Sequence, residues 1–315
     1  MTFSNRGAVA LSILAASFVA PVHAQDGVLN DPPERLGVTQ IFTNDWYGMP
    51  FGDRFDRWRT GGYQVSGFWG RDGWDDSLPS TPFALMEYRF RGEIIAPDNL
   101  SSPAPGDRRY APALYFGAAT HFDYRGIEVS AGADLVFTGD QTGLMGLHDS
   151  IHQTFGDSPV DLSDFMIEDG IYLNATVETA RSYAVGSASV RPFVEAQAGV
   201  ETLVRAGADL RFGNYDPGSL LIREATTGQR IVGIPGDSVG GWSFSLGADV
   251  AYVSDSVLLP ENGPAPEDTR YRLRGGVGHG YGPADLFYGV TYLSEEFEGQ
   301  NEGQLVGTLS LMLRF

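Results

Sequence analysis

The chain has 315 residues, a formal net charge of −19 and no cysteine. That length accommodates one large domain or two ordinary ones, and the negative charge excludes binding to nucleic acid through its phosphates. Disulfide staples are excluded too, so a large hydrogen-bonded framework must supply the stability, while the surplus carboxylates favour cations or form solvated acidic loops.

At the start, Arg6 precedes an apolar run from Ala8 to Ala20, followed by Pro21 and Val22-His23-Ala24. A charged start, an apolar stretch too short for a bilayer, and small residues before a cut after Ala24 make up an export signal. Residues 1–24 are therefore expected to be a signal peptide, and 25–315 the mature domain. No other stretch approaches roughly 18 uninterrupted apolar residues, so no helical membrane span is expected. Glycine is plentiful (41 residues), aromatics reach 12% and mean hydropathy is −0.14. These values fit a soluble protein or a barrel with a polar lumen.

Period-two alternation recurs along the chain. Met86, Tyr88 and Phe90 alternate with Glu87, Arg89 and Arg91; Ile127 to Phe137 alternates with Glu128 to Thr138; Trp242 to Tyr252 alternates with Ser243 to Asp249. The last segment, Leu305 to Phe315, is apolar or glycine at every odd position and ends in an aromatic residue. A lipocalin-like soluble barrel would also alternate, but a terminal Phe and aromatic strand ends favour the membrane. Pattern matching gives about twelve strands, an even number suited to closure. They centre on 37–44, 61–70, 83–95, 110–122, 126–138, 170–182, 187–198, 201–213, 240–254, 269–280, 283–294 and 304–315. The expected fold is an all-β transmembrane antiparallel barrel with a helical extracellular loop near 139–169. With both termini in the periplasm, the outward loops include 45–60, 96–109, 139–169, 255–268 and 295–303. Two inward connections, 71–82 and 214–239, exceed ordinary turns, and the second is long enough for further structure. The inward-facing Asp249 and Glu128 are expected to be solvated or paired with arginines such as Arg89 and Arg91.

The loop from Gln141 to Asp169 holds two of the five histidines. Leu144 to Phe155 has helix-compatible spacing, which puts His148 and His152 at i and i+4 on one face. Three readings apply: a zinc pair, although no H-E-x-x-H is present and further ligands would be needed; incidental histidines on an exposed helix; or one histidine as a general base. The outward topology brings Asn44, Asp45 and Thr60 to the same rim.

Ile41-Phe42-Thr43-Asn44-Asp45 and Asp56-Arg57-Trp58-Arg59-Thr60-Gly61-Gly62-Tyr63 resemble the LpxR family of outer-membrane lipid A 3′-O-deacylases. Ser150-Ile151-His152-Gln153-Thr154-Phe155-Gly156 is similar to that family's histidine segment, and Gly207 to Gly213 and Glu296 to Gln300 match in order. The family commonly has Thr-Asn-Gly where this chain has Thr60-Gly61-Gly62. The resemblance implies a twelve-stranded barrel that releases the 3′-linked acyloxyacyl group of lipid A with calcium. It implies His152 as the residue that activates water, Asn44, Asp45 and Thr60 as further catalytic residues, and Asp45, Thr60 and Glu168 as metal ligands. Glu168 is the best match to the family's glutamate, with Asp164 and Asp169 close by. Implied partners are lipopolysaccharide and outer-membrane lipids, with a monomer expected and the site facing the extracellular leaflet. A non-catalytic barrel, either a small-solute channel or a structural protein, and a phospholipase are the competing expectations.

Overall fold

The computed structural model describes residues 32–48, 56–71, 73–156, 158–237 and 240–314. The expected export signal and the terminal Phe315 lie outside the described residues. Alternating side chains give each strand one apolar and one polar face, and here those strands close on themselves. The ring consists of β1 (Glu34–Asn44), β2 (Trp58–Gly70), β3 (Leu85–Ala96), β4 (Ala111–Tyr124), β5 (Ile127–Thr138), β6 (Gly170–Ala180), β8 (Ala188–Ala198), β9 (Glu201–Gly213), β12 (Trp242–Ser256), β13 (Thr269–Tyr281), β14 (Ala284–Leu293) and β15 (Gln304–Arg314). The short β7 (Tyr183–Val185) extends β8 at a turn. The order is β6-β5-β4-β3-β2-β1-β15-β14-β13-β12-β9-β8, and β6 pairs antiparallel with β8 to close the barrel. The strands match the expected segments, with ends displaced by a few residues.

Apolar side chains such as Phe116, Leu173, Leu246, Val250 and Leu273 are exposed on the outer face. Such a continuous belt suits hydrocarbon rather than water. Trp242 and Tyr281 mark the short-turn end, and Trp46, Tyr252 and Tyr271 the long-loop end. The two groups correspond to the aromatic girdles of membrane barrels.

The lumen is packed with paired charges. Asp249 sits directly across from Arg272 in the β12–β13 register and pairs with it at 3.0 Å, and also with Arg274 and Arg205. Glu128 pairs with Arg191 at 2.6 Å. The expected pairing of these acids with Arg89 and Arg91 is thus corrected: Arg89 binds Asp134 and Arg91 binds Glu93. Register sets Asp249 opposite Arg272, whereas Glu128–Arg191 and Arg89–Asp134 each reach past an intervening strand and Arg91–Glu93 lies within β3.

The long connection 214–239 supplies a hairpin, β10 (Leu220–Arg223) and β11 (Arg230–Ile234), that enters the lumen from the turn end. Its Leu220, Ile222, Ile231 and Ile234 pack with Leu36, Ile41, Phe68, Leu85 and Phe287 of the wall. Burial of each such side chain contributes about 1.5–3 kcal/mol. At its tip the Gln229 amide donates to the Gly275 and Val290 carbonyls at 3.1 and 3.2 Å. Gly289 makes room, since a Cβ there would come within 2.6 Å of that amide. A cavity of about 790 Å³ remains between hairpin and wall, lined at its mouth by Trp74, Asp76, Asp123 and Asp216.

Candidate active site

β1 and β2 run together to the loop rim, where Asn44 pairs with Gly61 and the chain turns into α1 (Asp45–Gly48). Asn44 Oδ1 accepts the Trp46 amide at 2.8 Å, a capping bond that directs the turn. Gly307 lets α1 lie against β15, because a Cβ there would meet Tyr47 at 2.4 Å. Asp45 is consequently buried, and its carboxylate accepts the amides of Trp46 (3.0 Å) and Arg57 (3.2 Å). Burial first, and then the neighbouring Asp56, push the Asp45 carboxyl up to about 7 against the opposing backbone hydrogen bonds.

The segment entering β2 is backbone-strained. Asp56 (φ 59°) and Trp58 (φ 50°) are both left-handed, which for residues with side chains costs of order 1–3 kcal/mol each. Two contacts hold this shape. Trp58 is buried against Leu259 and Phe297, and Gln304 bridges the backbone by donating to the Arg57 carbonyl and accepting the Arg59 amide. The Thr60 hydroxyl donates to Asp56 Oδ1 at 3.3 Å.

The loop 139–169 carries the helix α2 (Leu144–Phe155), as its spacing predicts. Gly156 closes it in a left-handed conformation (φ 82°), its amide donating to the His152 carbonyl. Met145 packs with Ala96, Tyr110, Val160 and Leu162, which seats the helix on the rim. The seat also buries His148 and His152, whose rings meet edge to face at 4.6 Å. Tyr110 is fixed by its backbone to Phe165 and Ile167, and its hydroxyl lies 3.1 Å from His148 Nδ1. Burial and the adjacent His152 draw the His148 imidazole down to about 4, so it is neutral at neutral pH. His152 Nδ1 lies 3.0 Å from the Ser158 carbonyl. A carbonyl can only accept, so Nδ1 carries a proton and, in the neutral ring, Nε2 presents the lone pair. That Nε2 is 3.5 Å from Asp56 Oδ2, beside an open cleft of about 250 Å³ that Asp98, Asn99 and Pro159 also line.

Of the residues expected from the sequence, Asn44, Asp45, Thr60 and His152 lie at this one stretch of rim. Glu168 is not brought to them. It stands beside β6, its carbonyl accepting the Thr138 hydroxyl at 3.2 Å, and its exposed side chain has no hydrogen bond or ion pair among the described residues. β5 and β6 lie several strands around the ring from β1 and β2, which separates Glu168 from Asp45. Asp56, Tyr110 and the Ser158 carbonyl are the parts that motif reasoning did not assign. Asp56 stands four positions before Thr60 in the quoted motif and was legible as a carboxylate; a backbone carbonyl has no sequence signal.

Beneath the site, Arg59 spans the lumen to Glu93 on β3, Glu201 on β9 and Glu296 in the 294–303 connection. Arg108 reaches the same Glu296 at 2.6 Å. Burial alone would raise Glu296, but Arg59, Arg108 and Arg270 hold its carboxyl at about 2. Outside this network the loop rim is acidic, and the chain contains no lysine.

A closed barrel with an apolar outer belt, two aromatic girdles and a buried polar cluster on its loop rim defines an outer-membrane β-barrel protein. The profile of the family described as outer membrane protein LpxR matches residues 9–315, and the chain belongs to that family. Among solved structures, LpxR from Salmonella typhimurium superposes with a TM-score of 0.70 at 17% identity, covering 89% of this chain and 100% of that one, a likeness of fold. The β domain of the Bordetella autotransporter BrkA aligns with a TM-score of 0.43 at 12% identity, covering 90% and 100% of the two chains. No curated protein sequence matches.

Proposed function

We propose that this barrel hydrolyses an ester of lipid A at the outer leaflet, removing the 3′-linked acyloxyacyl group. The observation that carries the reading is the fixed tautomer of His152. Its Nε2 lone pair opens on a rim cleft within reach of Asp56, next to a barrel face built for lipid. Nε2 takes a proton from water as the oxygen attacks the ester carbonyl. The C–O bond to the sugar then breaks, and the imidazolium returns the proton to the departing sugar oxygen. The Ser158 carbonyl keeps the ring oriented and stabilises the imidazolium while it exists. No covalent acyl-enzyme is needed.

Calcium fits the residues present. Asp45 offers carboxylate oxygens and Thr60 a hydroxyl, the hard donors that calcium takes. Asp45 is buried and its carboxylate accepts backbone amides, an environment that favours a cation beside it. When bound, calcium supplies positive charge for the developing oxyanion. Asn44 shapes the turn that presents Asp45. The lumen, filled by the β10–β11 hairpin and the Arg59 network, argues against a small-solute channel.

The test is to incubate the purified protein with lipid A and calcium and follow the lipid by mass. Loss of the acyloxyacyl mass is expected, and His152→Ala should slow it by about 10²–10⁴-fold. An unchanged lipid mass with wild type overturns the reading, and turnover of phospholipid alone would redirect it to a phospholipase.

A further inference from the structure

We propose that His148, His152 and Asp56 form a binding site for a transition-metal dication of the zinc class, separate in donor chemistry from the oxygen donors of Asp45 and Thr60. One ligand atom from each of the three residues lies within 4.8 Å of the others. An i,i+4 histidine pair on a helix needs a further ligand to hold zinc, and the strained segment before β2 delivers one from a different part of the chain.

Each of the three is braced from behind, as metal ligands are. Tyr110 holds Nδ1 of His148, the Ser158 carbonyl holds Nδ1 of His152, and the Thr60 hydroxyl holds Oδ1 of Asp56. The bracing leaves His152 Nε2 and Asp56 Oδ2 facing each other at 3.5 Å, with one ring nitrogen of His148 completing the cluster within 4.8 Å. His148 is 5% exposed, and its Nε2 has no hydrogen bond among the described residues. His152 Nε2 and Asp56 Oδ2 lie 3.5 Å apart, close enough for one cation to bridge them. Two imidazoles and one carboxylate suit zinc and its neighbours rather than calcium or magnesium. The cleft beside His152 leaves a fourth position open to water.

Binding there uses the His152 lone pair that hydrolysis requires. Zinc is therefore an inhibitor of the proposed hydrolase, a consequence that rests on that reading, whereas the binding itself does not.

The experiment uses the full mature chain, without a histidine tag, folded in detergent. Zinc is titrated calorimetrically, and cobalt(II) is followed by its visible absorption. One zinc per chain and a tetrahedral cobalt spectrum are expected, the spectrum persisting in excess calcium. His148→Gln and Asp56→Asn should each weaken binding by about tenfold or more. Heat-dependent gel migration checks that each variant remains a folded barrel, and Asp56→Asn stands as the second variant should His148→Gln fail to fold. Absence of stoichiometric binding by wild type, or affinity unchanged in the folded variants, overturns the site. Zinc binding by a protein that leaves lipid A intact refutes only the hydrolase; zinc binding with undiminished hydrolysis refutes only the inhibition.

Discussion

Asp56 Oδ2 and His152 Nε2 face each other at 3.5 Å, although one residue belongs to the segment entering β2 and the other to a helix almost a hundred positions later. The pairing depends on a left-handed backbone at Asp56, and asparagine tolerates that conformation nearly as well as aspartate. Asp56→Asn therefore removes the charge while keeping the turn. Its hydrolytic rate should fall by about 10–100-fold with the barrel intact, the usual cost of losing a group that orients or complements a catalytic histidine. Asp56→Val should instead loosen the turn itself, because a β-branched residue is a poor fit at positive φ. Comparing lipid A turnover with heat-dependent gel migration for the two variants separates the effects. Full activity in Asp56→Asn would remove Asp56 from the site.

Asp45 gives the site a pH dependence of defined sign. Its carboxyl is raised to about 7 by burial and by Asp56, so the folded apo-protein holds a proton that the unfolded chain releases near 3.8. The stability this contributes is complete below the unfolded value and is lost as pH rises through about 7. In the proposed site calcium would compete with that proton. Its affinity should climb about tenfold per pH unit below 7 and level off above, with one proton released per ion bound. Calcium titrations across that range, in two buffers of different ionisation enthalpy, measure both. In Asp45→Asn the slope should vanish along with most of the affinity.

Glu296 is shared by Arg59, Arg108 and Arg270, which hold it ionised against its burial. Glu296→Gln keeps the shape and leaves three guanidiniums with less compensation. Removing one partner of a buried ion pair costs about 3–5 kcal/mol. The 294–303 connection should then become sensitive to protease, and gel migration should shift to the unfolded position at lower temperature. Glu298→Gln, on an exposed residue of the same connection, is the matched control and should change neither.

The barrel was legible because alternation is local: Phe244, Leu246 and Val250 announce a lipid-facing side whatever their partners are. The helix at Leu144–Phe155 was legible for the same reason, its spacing and closing glycine both lying within the segment. What spacing could not supply is contact between distant segments. Asp249 was expected to be solvated or paired with arginines such as Arg89 and Arg91, and register sets it opposite Arg272 instead. Glu168 matched a motif by residue type, yet its side chain leaves the rim into solvent. The polar cluster itself joins β1, the entry to β2 and α2, which become neighbours where Met145 seats the helix against Ala96 and Tyr110.

The β10–β11 hairpin shows this limit most clearly, because its contacts are with strands far away in sequence. Thr39 of β1 donates its hydroxyl to the Val232 carbonyl at 2.9 Å, Thr308 of β15 donates to Thr227, and Arg223 pairs with Glu178 and Asp209 across the lumen. Held at several walls, the hairpin is a fixed plug. Replacing residues 219–235 with a short turn should keep the ring, whose ladders do not include β10 or β11, and should open the lumen. Glu178 and Asp209 would then face water without Arg223, giving a cation-selective pore. Single-channel recordings in planar bilayers should show discrete conductance steps for the shortened chain and none for the full one. Equal conductance in both would mean the hairpin does not seal the barrel, and silence in both would place the seal at the Arg59–Glu93–Glu201 network instead.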